Sequence, residues 1–555
     1  MLDYWSDFKP CQGIIDLAGG NVPNAMITLR KKGNTSYAPA QPSFNTELLT
    51  NQPGPPARIF IMEACLKLQV PVPLEICEFL DKFIFNSKGY AVLLEIQAFI
   101  EVLWHQEKKE EEYDVKDKKK KNKLYDSRDP RRVIYKAGVV VLVVILAKLC
   151  NCRTCVEIAN FWHIFKPLLR LIIKDMPAPE YNISAETVRA ICSMTPKGTM
   201  EKVLVRYFNN PKIPLGKLLQ YQSVPIYCQI SENGVLLTSP YRGTIGADGQ
   251  EIRSSYIKGE RSCHKDYLCV TCYYCSGKIA LGYKLVEKKN HETSAIQEII
   301  ENYEENIEQE QKDANRQNIF IADAMNNTAE LCSFLRKRGR DYILPLKTNN
   351  GWKPLHDAVE KLFLDLGKKG SIELSKILEK QGHGRIEQYK YMMLPVPQVP
   401  EGTPLPEDIH SVILVKHQSV RHIKGTLPGE SDFKLPEWRY YFSSPGADRM
   451  NFAQAMHTIG ERWQYEVHHH MLDTVLMQDR TNMCNSKHLD FTCGVNKIAG
   501  YVGGFIRQNL SQLMGKISRP ISYMSTFKYC SANLLLALAG LLDCLETAPV
   551  NAHTD

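Results

Sequence analysis

The chain has 555 residues, 44% of them hydrophobic and 23% charged, a composition that is typical of a folded, globular protein with several domains. The net charge of +8 suits a polyanionic partner but does not require one. The longest apolar runs, residues 137–147 and 534–542, are too short to span a bilayer, and the first ten residues lack the basic-then-apolar pattern of a secretion signal. We therefore expect a cytoplasmic protein with no membrane partner.

Residues 1–130 are predicted to be an accessory region, and they contain no recognisable motif. Pro, Asn and Ser are frequent at 33–56, which predicts a loop, whereas the periodicity of 59–104 predicts helices. Lys and Arg dominate 116–132. This basic segment is predicted to be a solvated linker that ends the accessory region, with an arm that binds DNA phosphates as the alternative.

Residues 131–230 are predicted to be helical, with a buried helix at 139–149 and an amphipathic helix at 155–165. Two groups of cysteines, one here and one further on, have spacings that permit zinc binding. They are Cys150, Cys152 and Cys155, and Cys263, Cys269, Cys272 and Cys275. Most of the second group lies in a predicted strand, which turns residues three apart to opposite faces. Free, buried thiols are therefore the favoured interpretation, and zinc is the alternative.

The first acidic site candidate follows a short apolar run at 244–247. Asp248 and Gly249 form a pair that is typical of a turn, and alternating strands are predicted over 267–286. An acid beside hairpin strands of this kind is what a ribonuclease-H-like sheet requires.

The second acidic candidate lies in a predicted strand–helix–strand unit. The apolar run 319–322 ends at Asp323, an amphipathic helix is predicted at 327–338, and Gly339 ends that helix before a second apolar run. That run is closed by Lys347. Because ligands and metals are usually held at the carboxyl ends of buried strands, Asp323 is a site candidate.

A long helix is predicted at 449–480. Its hydrophobic stripe comprises Phe452, Met456, Ile459, Trp463, Val467, Met471 and Val475. Glu466 is predicted to lie on the same inner face, where a carboxylate needs a partner such as a metal ion. Asp473, two turns further on, is the rival for this role. Three consecutive histidines at 468–470 could suggest zinc, but consecutive residues fan around a helix.

Several of these segments resemble the DDE transposases of bacterial insertion sequences, in particular the H-repeat-associated group. IADAMN at 321–326 and DYILPLKTNNG at 341–351 resemble the core words of that family. GADGQEIRSS at 246–255 is similar to its word DGK-x-LRGS, with Gln250 where Lys is usual. GHGRIE at 382–387 is similar to GHGR-x-E. Trp463, Glu466, His470 and Asp473 fit the word HWGIEN-x-LHW-x-LD.

The resemblance implies an α/β fold with a ribonuclease-H-like mixed sheet and flanking helices. The catalytic domain would comprise residues 231–347 and 446–490, separated by a strand-containing insertion at 348–445. A helical domain at 131–230, linked in the family to DNA binding, and a helical C-terminal region at 491–555 would flank it.

The resemblance also implies the site. Asp248, Asp323 and Glu466 would be the catalytic acids and would hold two Mg²⁺ or Mn²⁺ ions, which hard oxygen ligands select over zinc. The DNA-binding residues that it implies are Arg253, Lys347, His383, Arg385, Arg462 and His470.

The expected function is therefore a transposase that cuts double-stranded DNA at transposon ends and joins the ends to target DNA. From the same resemblance we expect a homodimer on paired ends, associated with the nucleoid in the cytoplasm. Two alternatives stay open. One is a transposase-derived nuclease without strand transfer, and the other is a domesticated DNA-binding protein that no longer uses its acids.

Overall fold

The structure is a computed structural model. It describes residues 88–113, 133–208 and 241–546, the last range with gaps at 242, 254, 256–266, 276, 288–290, 306–317, 324–325, 349–350, 369–375, 383–384, 404, 407, 422–432, 447–448, 451, 481–484, 514–520 and 533. The predicted loop at 33–56, the basic segment at 116–132, Cys263 and His383 lie outside the described residues.

The described chain is helical at both ends and forms a sheet in the middle. Its helices are α1 (Lys88–Tyr113), α2 (Ala137–Leu149), α3 (Cys155–Ile172), α4 (Ala185–Met194), α5 (Thr199–Val203), α6 (Glu292–Glu305), α7 (Ala329–Lys337), α8 (Lys353–Lys368), α9 (Phe452–Glu461), α10 (Trp463–Thr474), α11 (Ser486–Leu513), α12 (Tyr523–Ala532) and α13 (Leu534–Glu546). Its strands are β1 (Gly243–Ile252), β2 (Tyr267–Tyr274), β3 (Ile279–Val286), β4 (Asn318–Ala322), β5 (Tyr342–Leu346), β6 (Lys376–Gly382), β7 (Arg385–Pro395), β8 (Ser411–Arg421) and β9 (Glu437–Ser443).

The described residues fall into two compact units, one drawn from 1–199 and 498–555 and the other from 200–497. In the first unit α2 is buried along its whole length, because the sequence AGVVVLVVILAKL has no polar face. Helix α3 begins at a capping box formed by Thr154 and Glu157. The predictions of a buried helix at 139–149 and an amphipathic helix at 155–165 are confirmed.

The C-terminal helices of this unit are also apolar. In α13, Leu534, Leu538 and Leu541 are buried. Within the described residues no single helix is both long and apolar enough to cross a bilayer. The segments Tyr523–Ala532 and Leu536–Leu542 reach the required length and composition only when they are taken together, and the chain bends by 112° between them.

The second unit is built on a nine-stranded mixed sheet in the order β3-β2-β1-β4-β5-β9-β8-β7-β6. Strands β1, β2 and β3 are antiparallel neighbours, whereas β4 and β5 run parallel to β1. One face of the sheet packs against helices that include α6, α7 and α8, and α9 packs on the other. The predicted α/β fold with a mixed sheet and flanking helices is confirmed, and these first five strands have the order that a ribonuclease-H-like sheet requires.

Residues 348–445 return to this sheet after a short excursion. This segment was predicted to be a strand-containing insertion, and it begins with α8 outside the sheet. Strand β9 then pairs with β5, with Leu344 opposite Phe442, and β8, β7 and β6 extend the sheet outward. Successive side chains of a strand point to opposite faces of the sheet. In β9, Phe442 packs into the hydrophobic core on one face and Tyr441 packs into the core on the other, so β9 is suited to a position inside the sheet beside β5.

The predicted turn at Asp248 and Gly249 is wrong. Strand β1 runs without a break through both residues, and Asp248 pairs with Thr271 of β2. The Asp-Gly pair is overridden because β1 is a central strand, hydrogen-bonded to β2 on one side and to β4 on the other.

The hydrophobic stripe predicted for 449–480 is also partly wrong. The segment forms two helices, α9 and α10, that meet at Arg462. Trp463 and Val467 are 43% and 51% exposed. Ile459, Met471 and Val475 are buried as predicted. Polar side chains share the buried face, so hydrophobicity alone selected only part of it; the other buried residues include Gln454, Thr458, Glu461, Tyr465, His468 and Leu472.

Candidate active site

Asp248 and Asp323 lie side by side on neighbouring parallel strands. Ala247 of β1 is in register with Ala322 of β4, so the next residue on each strand is an aspartate. The side chain of Asp248 is 24% exposed and that of Asp323 is 40% exposed. The backbone N–H of Gly249 donates to Asp248 Oδ1 at 2.9 Å. Two carboxylates therefore share one edge of the sheet and can be reached from solvent.

Arg462 links this pair to Glu466. Its Nη1 lies 3.5 Å from Asp323 Oδ1 and its Nη2 lies 3.1 Å from Glu466 Oε1. The arginine side chain is only 18% exposed, and it begins α10, so Glu466 follows one helical turn later. The structure thus brings all three predicted acids to one place, with a guanidinium between two of them. Arg462 was expected to bind DNA, and here it contacts the acids.

Burial and the charges of neighbouring acids raise the pKa values of Asp248 and Glu466. Burial, together with the negative charges of Asp323 and Glu292, raises the pKa of Asp248 to about 7. Burial also raises the pKa of Glu466, with Asp323 adding to the effect and Arg462 opposing it. Carboxylates crowded in this way gain from a bound cation. The donor set is made of carboxylate oxygens, so the residues present fit Mg²⁺ or Mn²⁺.

His469 is a site residue that sequence reasoning missed. Its Nδ1 lies 3.5 Å from Asp248 Oδ2. Burial lowers the pKa of His469 to about 3, so this contact joins a neutral imidazole to the carboxyl group and is not an ion pair. Its neighbour His468 instead stacks on Tyr273 with ring centroids 4.6 Å apart. The missed signal was the position of His469 three residues after Glu466, one turn along the same helix.

Asp473, the rival third acid, belongs to a separate network. Gln250 donates from Nε2 to Asp473 Oδ1, and Gln478 donates to Gln250 Oε1 at 2.9 Å. Burial raises the pKa of Asp473 to about 6, and Asp479 adds to the effect. Gln250 occupies the position where the resembling family has Lys, and its amide here orients Asp473. Of the two acids, Glu466 is the one that contacts the same arginine as Asp323.

Four other residues predicted to bind DNA lie in the described part of the chain, and His383 lies outside it. The Arg253 side chain is 78% exposed, and its Nε lies 3.8 Å from Asp479 Oδ2. Lys347 is exposed directly after β5, and His470 is exposed on α10. Arg385 begins β7 and pairs with Arg421 of β8.

The cysteines do not form a zinc site among the described residues. Cys269, Cys272 and Cys275 are all free and buried, and Cys269 Sγ accepts a hydrogen bond from Lys497 Nζ at 3.4 Å. In the described part of the chain, the group of three possible ligands with donor atoms within 4.8 Å of one another is His356, Asp357 and Glu360, on α8. Asp357 and Glu360 are exposed.

The fold and these acids define a class: a ribonuclease-H-like α/β protein with clustered carboxylates at the edge of its central strands. No protein-family model matches the chain. Part of it is similar to “Putative transposase YncI” of Escherichia coli O157:H7, with 26% identity over 264 residues, which are 46% of this chain and 60% of that protein. YbfL of Escherichia coli (strain K12) is 24% identical over 262 residues, 46% of this chain and 63% of that protein. The chain therefore spans about three fifths of the curated relatives it matches.

The chain also has a distant similarity to the solved structure of a piggyBac transposase synaptic complex with hairpin DNA. The matched region covers 80% of this chain and 79% of the piggyBac transposase chain, with 10% identity and a TM-score of 0.32. A likeness at this score carries no argument for the present chain.

The raised pKa of Asp248 predicts an effect of pH on stability in the absence of metal. Its pKa is raised from 3.8 to about 7, so between these values the folded state binds more protons than the unfolded state. The free energy of unfolding therefore falls as pH rises through this window. We expect Asp248→Asn to remove this contribution, so the variant should gain stability over the wild type mainly at higher pH.

Urea denaturation in EDTA at about pH 5 and about pH 8 measures this difference. The variant should exceed the wild type in stability by more at the higher pH. If the variant and the wild type differed in the free energy of unfolding by the same amount at both pH values, ionisation of buried Asp248 would not destabilise the folded protein.

Proposed function

We propose that this chain is a transposase that cuts DNA at transposon ends and transfers the cut strands into target DNA with divalent metal ions. The observation that carries the proposal is the meeting of Asp248, Asp323 and Glu466, from three distant segments, at one edge of the central sheet. The name of one similar protein, “Putative transposase YncI”, agrees with a transposase.

In this proposal Asp248, Asp323 and Glu466 hold Mg²⁺ or Mn²⁺. When bound, two such ions activate water or a DNA 3′-hydroxyl and stabilise the leaving oxygen. Arg462 offsets the charge of Asp323 and Glu466 before a cation binds and is available to a DNA phosphate afterwards. His469 stays neutral at physiological pH, so it can orient the Asp248 carboxylate without cancelling its negative charge.

The proposed partner is double-stranded DNA, bound by a homodimer that pairs two transposon ends in the cytoplasm, at the nucleoid. The exposed cations Arg253 and Lys347 are proposed to contact phosphates. Such contacts position DNA without reading its sequence.

Strand transfer is tested with a pre-cut DNA end. The full-length protein, Mn²⁺ and a target plasmid are incubated with duplexes from the DNA flanking the reading frame, cut to expose a 3′-hydroxyl. We expect joined products that run as new bands on a denaturing gel. A matched duplex that ends in a 3′-deoxynucleotide is the control, because it lacks the attacking hydroxyl and should give no joined product.

The outcomes separate this proposal from its rivals. Cutting of uncut ends without any joining would identify a nuclease derived from a transposase. DNA binding with neither cutting nor joining, at any flanking sequence, would identify a non-catalytic DNA-binding protein.

A further inference from the structure

Glu292, the first residue of α6, is a charged side chain buried beside the acidic site. It is only 7% exposed. Its Oε2 accepts a hydrogen bond from Asn326 Nδ2 at 3.0 Å. Asn326 is itself 1% exposed, and its backbone N–H donates to the carbonyl of Asp323 at 3.0 Å. Glu292 is thereby linked through one residue to the turn that carries Asp323.

The same carboxyl group is seated against β1. A Cβ built on Gly249 would lie 3.0 Å from Glu292 Cδ and 3.1 Å from Glu292 Oε2. A larger residue at this position would have to displace this carboxyl group and Leu268 Cδ2, which would lie 2.9 Å from the same Cβ. Gly249 is also the residue whose N–H donates to Asp248 Oδ1. Glu292 therefore lies against β1 beside Asp248 and is hydrogen-bonded to Asn326, three residues after Asp323, although it belongs to neither strand.

Ordinary helix capping accounts for only part of this arrangement. An acid in the first turn of a helix is favoured by the helix dipole, but an exposed side chain would serve that purpose. A buried carboxylate is costly without compensation. Here it accepts the Asn326 amide and adds negative charge close to Asp248.

We propose that Glu292 is a positioning residue for the divalent cation site. It fixes β1 and the Asp323–Asn326 turn at the separation that lets Asp248 and Asp323 bind one cation, and its charge strengthens the attraction of that site for cations. The inference rests on the proposed function, because it assumes that the two aspartates bind a divalent cation. Glu292 itself touches no reacting atom.

The test is calorimetric titration of the full-length, metal-free protein with Mn²⁺, in the absence of DNA. Glu292→Gln keeps the size of the side chain and an oxygen that can accept from Asn326, but removes the charge. We expect Mn²⁺ affinity to fall by about 10-fold or more, the usual range for residues that support metal ligands. Glu298→Gln on the same helix is the matched control, since Glu298 is half exposed and pairs with Lys284, and it should bind Mn²⁺ as the wild type does.

A second variant separates positioning from charge. Asn326→Ala leaves the charge of Glu292 in place but removes its link to the Asp323 turn, and we expect weaker Mn²⁺ binding here as well. Thermal unfolding without metal checks that each variant is folded; if one is not, the other decides the question.

The two levels of the hypothesis fail differently. If the wild type binds Mn²⁺, Asp323→Asn does not, and the folded variants at Glu292 and Asn326 bind like the wild type, then the role of Glu292 is refuted while the proposed function stands. If the wild type itself binds no Mn²⁺, the proposed function fails and the role of Glu292 fails with it.

Discussion

Asp248→Asn, Asp323→Asn and Glu466→Gln are each expected to reduce Mn²⁺-dependent DNA cleavage by about a thousandfold or more. Groups that act as one catalytic unit lose most of the rate when any member is removed, and a two-metal site needs each of its bridging or terminal carboxylates. The substitutions preserve shape and remove only the charged oxygen. Cleavage is measured as nicking of a plasmid that carries the flanking DNA.

DNA binding should survive these three changes, because phosphate contacts come mainly from lysine and arginine. Fluorescence anisotropy with labelled duplex DNA measures the affinity. Asp357→Asn is the matched control for cleavage, since it removes an exposed carboxylate on α8 from the same unit and should cut normally. Near-normal cutting by any one of the three site variants would remove that residue from the catalytic set.

The largest loss of stability is expected from Glu304→Ala. Arg340 is 1% exposed, and its Nε and Nη2 lie 3.1 and 2.7 Å from Glu304 Oε1. Removing Glu304 leaves the buried guanidinium without the Glu304 carboxylate, and breaking a buried ion pair in this way costs about 3–5 kcal/mol in comparable cases. The free energy of unfolding from urea denaturation measures the change.

Glu301→Ala on the same helix is the control for this prediction. Glu301 is 45% exposed and pairs with Arg338 at 2.7 Å, so its loss should cost about 1 kcal/mol or less. Replacing both Glu304 and Arg340 by Leu and Met should recover much of the stability, because an apolar pair needs no buried charge. A similar small loss for Glu304→Ala and Glu301→Ala would contradict the assigned role of the buried pair.

The strand–helix–strand unit around Asp323 could be predicted from the sequence because its signals are local. Thr328 caps α7 through its side chain, and Gly339 adopts a φ of 69° after the helix. Two short apolar runs flank these residues and become the fully buried strands β4 and β5. The start and end of this helix and the two strands beside it are each determined by residues within a few positions in the sequence.

The features that sequence patterns missed depend on contacts between segments that are far apart in the chain. An Asp-Gly pair favours a turn only when no partner strand competes, and Asp248 pairs with Thr271 of β2. In α10, Tyr465 and His468 fill the buried face although His468 is polar. The sheet at 348–445 depends on β9 finding β5, a pairing between residues about a hundred positions apart.

At the site, the family resemblance identified the three acids but not the residues that contact them. Arg462 and Asp323 are 139 residues apart, and Glu292 and Asn326 are 34 apart. No local pattern encodes either contact. Buried charges such as Glu292 and Arg340 need partners, which here are distant in the sequence. A sequence interpretation that places charged residues on the surface therefore misses them.

The most direct measurement of the central claim is anomalous X-ray scattering from crystals of the full-length protein soaked in Mn²⁺. The account predicts a manganese peak bounded by the carboxylates of Asp248 and Asp323, with Arg462 withdrawn from Asp323. A manganese peak only at His356, Asp357 and Glu360, or none beside the two aspartates at saturating Mn²⁺, would contradict it.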